Sequence, residues 1–218
     1  MLDRVVSSYV YTVKSLAYAR ERATNAERSE LRTNAMLLGM PTTPAAGDLQ
    51  FVKDKIESID VVLKTVSIST LVEMNPVKAR VLSTLAEHGI VHFACHGSSE
   101  VDPAESKLLL EDWETTPLTV LDLMSLHIKL ARFAYLSACH TSAMKDFCLL
   151  DEFINLVSVI QLYGYPAVVG SLWQVEDQRA AKLTKNVYEW ILAGDSGFDP
   201  RHSGAALHNE LHRLREET

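Results

Sequence analysis

Ile90-Val91-His92-Phe93-Ala94-Cys95-His96-Gly97 and Phe133-Ala134-Tyr135-Leu136-Ser137-Ala138-Cys139-His140-Thr141 are the two stretches that decide how this chain folds. Each is an apolar run of β type that stops at a Cys-His pair. Continuous apolar runs, rather than alternating ones, belong to strands covered on both faces, as in a parallel sheet. In an open parallel sheet, ligands gather in the crevice beyond the carboxyl ends of the strands. If the two runs are neighbours, a thiol and an imidazole meet at that edge.

Working outward, Ala35 to Gly39 reads as a buried strand stopped by Met40-Pro41-Thr42-Thr43-Pro44. Residues 49 to 58 read as helix. Asp60 to Ser67, rich in β-branched residues, reads as a strand, and Thr70 to Glu87 as a helix closed by Gly89 with Pro76 in its first turn. Toward the amino end, Tyr9, Val13, Leu16 and Ala17 fall at helical spacing, and the mixed charges of residues 20 to 32 read as a solvated helix end or loop. Past the first Cys-His run come short extended pieces at Lys107 to Glu111 and Leu118 to Val120, then a short helix at Leu121 to Leu126. A helix from Asp151, a buried strand over Ala167 to Trp173, a helix opened by Glu176 or Asp177 and a last helix from about Ser203 complete the chain. Strands alternate with helices throughout, so the expected fold class is α/β with a mostly parallel sheet covered on both faces.

Bulk composition removes several function classes. The net charge of −7 argues against a binder of nucleic acid, whose domains are usually basic on one face. No apolar run approaches the roughly 18 residues of a membrane span, and no signal peptide is legible, so no membrane partner is expected. Three cysteines make no disulfide framework, which reads as a reducing, cytoplasmic setting. The opening residues resemble the tail of a strand with almost nothing before it, so a fragment of a longer protein is expected. No Walker loop and no G-x-G-x-x-G turn is present.

A thiol and an imidazole within hydrogen-bond reach are what a cysteine nucleophile requires. Adjacent strand residues point to opposite faces, so the useful pairing runs between the two strands, not within either Cys-His pair. Caspases place the histidine about 50 residues before a cysteine that follows Gln-Ala. His96 precedes Cys139 by 43 residues, and Ser-Ala precedes that cysteine. The spacing favours His96 as base and Cys139 as nucleophile. Gly97 lets the backbone turn tightly, and its N–H with that of Cys139 could form an oxyanion hole. Cys95, Cys148, His92 and His140 read as packing or satisfied polar groups. Cys95, His96, Cys139 and His140 lack the paired spacing of compact zinc sites, so no metal is expected. Asp151 and Glu152 could contact a basic substrate side chain, and the dipole of the helix they open explains them equally well. Trp173 is a pocket wall or a core aromatic. No Asp or Asn offers itself as a third member, which leaves a dyad.

The runs HFACHG (92–97), KLLLED (107–112), PLTVLDL (117–123), YLSACHT (135–141), LLDEFINL (149–156) and VVGSLWQVED (168–177) together resemble the CHAT domain, a caspase-like group of cysteine peptidases related to separase. VVSSYVYTVKSLAYAR (5–20) and LLGMPTTP (37–44) resemble that domain's opening segments, so the likeness covers nearly the whole chain. It implies a caspase-like, three-layer α/β/α sandwich forming a single domain over residues 1–218. It also implies His96 as general base, Cys139 as nucleophile, and hydrolysis of a protein or peptide substrate through a thioester without a cofactor. Such domains usually sit behind tandem repeats or an NTPase module. One departure is the short loop from His140 to Asp146, which bears on substrate preference. The rival expectation is a catalytically silent interaction module.

Overall fold

Six α-helices and nine strands have both ends placed in a computed structural model that describes residues 12–27, 33–98, 102–126, 130–137, 139–140, 159–162, 164–170, 177–193 and 197–216, with positions 6, 100, 128 and 157. In chain order these are α1 (Val13–Glu27), β1 (Asn34–Gly39), α2 (Val52–Thr65), β2 (Ser69–Met74), α3 (Lys78–Leu85), β3 (Ile90–Ala94), β4 (His96–Ser98), β5 (Lys107–Leu109), β6 (Leu118–Thr119), α4 (Val120–Met124), β7 (Phe133–Leu136), β8 (Cys139–His140), β9 (Ala167–Gly170), α5 (Asp177–Leu192) and α6 (Ser203–Glu216). The central sheet has the order β2-β1-β3-β7-β9, and every pair in it is parallel.

Strand alternation divides the core into two layers. Met36, Leu38, Val91, Phe93, Ala134 and Leu136 face one side, where Val81 and Leu85 of α3 and Val120 and Leu123 of α4 cover them. Ala35, Leu37, Ile90, Phe133 and Tyr135 face the other side, under Ile56, Ile59 and Leu63 of α2 and Val187, Tyr188 and Ile191 of α5. The fold is a three-layer α/β/α sandwich with a mostly parallel sheet. α4 has only five residues, yet Thr119 and Asp122 close a capping box at its start.

Three local expectations are corrected. Asp60 to Ser67 is the end of α2, not a strand: Val52, Lys55, Ile56, Ile59, Val62 and Leu63 are buried at helical spacing. The β-branched residues there are tolerated because the stripe packs on the sheet, while Val61 faces solvent. The strand comes instead at Ser69–Met74, where a helix was expected to begin, and α3 starts only at Lys78, two residues beyond Pro76. β2 is an edge strand whose exposed and half-buried residues blur the period that would have marked it. On α1, Val13 and Ala17 are exposed and Ala19 is the buried position. α2 and β2 both crowd the end of β1: a Cβ on Gly39 would meet Val52 Cγ1 of α2 at 3.0 Å and Met74 Sδ of β2 at 2.8 Å.

Candidate active site

The two Cys-His runs do lie side by side. Ile90 pairs with Phe133 in the central sheet, and His96 pairs with Cys139 beyond it, so one offset of 43 residues runs through both ladders. β3 ends at Ala94 and β4 begins at His96, and β4 then leaves the main sheet to join a second one of order β6-β5-β4-β8. There β4 pairs antiparallel with β5, His96 opposite Leu109 and Gly97 opposite Leu108. Across the parallel side Gly97 pairs with His140. Register partners in neighbouring strands are about 4.8 Å apart, so the backbones of His96 and Cys139 lie abreast at the carboxyl edge.

The environment of His96 is built by three elements. Its ring is buried, 7% exposed, and Nε2 lies 2.6 Å from the carbonyl oxygen of Gly47, in the loop between β1 and α2. A carbonyl oxygen only accepts, so Nε2 carries the hydrogen and donates it. In the neutral ring Nδ1 then holds the lone pair. Nδ1 is buried and has no hydrogen-bond partner among the described residues. An orphaned imidazole nitrogen, with its tautomer set by a backbone carbonyl, is suited to take up a proton.

The loop that supplies the Gly47 carbonyl is tied down at several points. Leu49 N–H donates to Pro41 O at 2.8 Å and Ala46 N–H to Thr43 O at 3.0 Å. Ala45 takes a left-handed φ of 55° to complete the turn. The Trp113 indole N–H donates to Pro44 O at 2.8 Å, reaching over from the turn after β5. Thr43 Oγ1 in the same loop is buried with no partner among the described residues. On the other flank, Lys107 braces Glu100 at 2.8 Å and Ser98 donates to the same carboxylate at 3.1 Å. The Lys107 bond holds that carboxyl below its usual range against the opposing effect of its partial burial.

Cys95 and His96 diverge, as strand alternation requires: Cys95 is buried in the apolar cluster with Leu108, Leu110 and Leu136. His92 lies deeper, stacked on Tyr135 with ring centroids 5.0 Å apart and with Nδ1 3.4 Å from the Tyr188 hydroxyl. Its reading as a packed or satisfied polar group holds at Nδ1, while Nε2 has no partner among the described residues. Burial, and secondarily the charge of Lys55, hold its pKa well below the usual value. Asp151, Glu152 and Trp173 lie outside the described residues, as do Cys148 and Glu176. Gly47 and Trp113 were missed in the sequence. A glycine whose carbonyl alone is used leaves no side-chain signal, and only the need of a part-buried indole N–H for a partner pointed to Trp113.

The fold and this edge define an α/β/α protein with a Cys-His pair at the carboxyl ends of neighbouring parallel strands. The chain belongs to the CHAT domain family, whose model matches residues 1–218. That family is associated with caspase-like cysteine peptidases. Among solved structures, a flavodoxin of Streptococcus pneumonia TIGR4 is similar at 14% identity with a TM-score of 0.44, covering 74% of this chain and 99% of that one. No curated protein matches this chain. Among the described residues, no helix is long and apolar enough to cross a membrane.

Proposed function

We propose that this chain is a cysteine endopeptidase working through a Cys139–His96 dyad that the Gly47 carbonyl orients. The observation that carries the reading is the buried Nδ1 of His96, unpartnered among the described residues, on a ring held through Nε2 and in register with Cys139. Nδ1 accepts the thiol proton, and the thiolate attacks the carbonyl carbon of a peptide bond in a protein or peptide substrate. The backbone N–H groups of Gly97 and Cys139 hold the oxyanion. The imidazolium returns its proton to the leaving amine as the C–N bond breaks, leaving a thioester. Nδ1 then takes a proton from water as the oxygen attacks, and the sulfur departs and is reprotonated. Asp151, Glu152 and Trp173 are the candidates from the sequence for contact with substrate side chains. The Gly47 bond keeps the ring in one tautomer, the role a carboxylate plays in a triad.

The test is the rate at which Cys139 is alkylated by an electrophilic peptide probe, in the parent and in His96→Ala. Fast labelling in the parent that is lost in His96→Ala is the expected result. Slow labelling in both overturns the peptidase reading and assigns the chain to a silent interaction module.

A further inference from the structure

We propose that Lys55 is a positioning residue for Cys139: its ammonium, carried on α2 and bound to Ser137, favours the thiolate and holds the strand end that carries the nucleophile. The inference rests on the reading of Cys139 given above. Lys55 occupies a position in the buried stripe of α2 where the neighbouring positions are Val52, Ile56 and Ile59, and it is 1% exposed. Its Nζ donates to Ser137 Oγ at 2.9 Å, across 82 residues of chain. Burying an ammonium is costly, and apolar side chains of similar volume commonly serve stability as well or better. A charge kept in such a place calls for a role at the group it stands beside.

Ser137 is held on both of its ends. Its N–H donates to Phe93 O at 2.9 Å, carrying the β3–β7 ladder one step past β7, while its hydroxyl meets Lys55. Cys139, the first residue of β8, follows two residues later in the sequence. A lysine ammonium held beside the segment that carries a thiol lowers the pKa of that thiol and raises its reactivity near neutral pH. Among the described residues, the groups that share this seam include His92 from β3, Tyr135 from β7, and Thr184 and Tyr188 from α5. Burial, with the Lys55 charge second, holds His92 neutral. Burial pushes Tyr135 up to about 12 and raises Tyr188 well above its usual value, so neither is an anion near neutral pH. These neighbours do not titrate in the range where the thiol would.

The experiment is the pH profile of Cys139 alkylation by iodoacetamide in the whole chain, read by peptide mapping because Cys95 and Cys148 are also present. It compares the parent with Lys55→Met, Ser137→Ala and His96→Ala. Lys55→Met is expected to move the midpoint up by about one pH unit and to slow labelling at pH 6 by up to about tenfold. Ser137→Ala, which frees the ammonium to turn away, is expected to move it in the same direction by less. An unshifted midpoint in either variant, once circular dichroism shows it folded, overturns the role of Lys55. Labelling that is fast in the parent and dependent on His96 keeps the dyad standing in that case. Slow parent labelling indifferent to His96 overturns both.

Discussion

Against α3 and α4 the central sheet presents Met36, Leu38, Val91, Phe93, Ala134 and Leu136, an apolar surface throughout. Against α2 and α5 it presents His92, Tyr135 and Ser137 among Leu37, Ile90 and Phe133, and the helices answer with Lys55, Thr184 and Tyr188. Both faces are buried, yet one carries a seam of polar groups that runs toward the edge where His96 pairs with Cys139. A buried polar group must find a partner or lose stability. The apolar face therefore bears packing alone, while the polar face combines packing with the hydrogen bonds of its buried polar groups.

The sharpest contrast is expected between activity and stability. His96→Ala should lower the rate of thiol acylation by about a thousandfold, measured with the peptide probe, while leaving the thermal midpoint within a few degrees. Phe93→Ala, on the apolar face, should do the reverse. It should cost about 3–5 kcal/mol in urea unfolding, because the void cannot collapse between strand and helix. Loss of activity in a folded Phe93→Ala protein, beyond what its stability explains, would erase the distinction between the faces.

On the polar face, His92 makes stability depend on pH. Its native pKa lies well below the unfolded value of 6.5, so below pH 6.5 the unfolded chain takes up a proton that the native state refuses. Stability should therefore fall as pH drops through that value, by up to about 1.4 kcal/mol per pH unit attributable to this residue. Chemical unfolding at pH 7, 6 and 5 should show that slope in the parent and a shallower one in His92→Phe. Equal slopes would remove His92 from the account.

Smaller effects are expected at the loop that orients His96. Trp113→Phe removes the hydrogen bond to Pro44 O while keeping most of the ring. It should cost about 1 kcal/mol of stability and lower the acylation rate severalfold through looser placement of the Gly47 carbonyl. Unchanged kinetics would mean the loop is held by its backbone turns alone. Tyr188→Phe, which deletes a 3.4 Å contact to His92, should be the mildest change, below about 1 kcal/mol.

Much of this was legible in the chain because the physics involved is local or periodic. The apolar runs at 90–94 and 133–136 read as strands covered on both sides, and they are central strands of the sheet. The 43-residue separation of His96 and Cys139 turned out to equal the register of the two strands. The misreading of residues 60–87 shows where local rules fail. The β-branched residues of α2 have modest helix propensity, and only the sheet beneath them shows that their period is 3.6. Edge strand β2 gains its pairing with β1 from register, not from a pattern in its own residues.

By itself the sequence determined the layered α/β architecture and the pair of residues worth testing, since strand alternation and residue chemistry are carried along the chain. Only the tertiary structure decided what surrounds them. The Gly47 carbonyl reaches His96 across 49 residues, and Lys55 reaches Ser137 across 82. A backbone oxygen is common to every residue, and a lysine within an amphipathic helix ordinarily reads as surface. Neither contact leaves a trace until packing sets the distance.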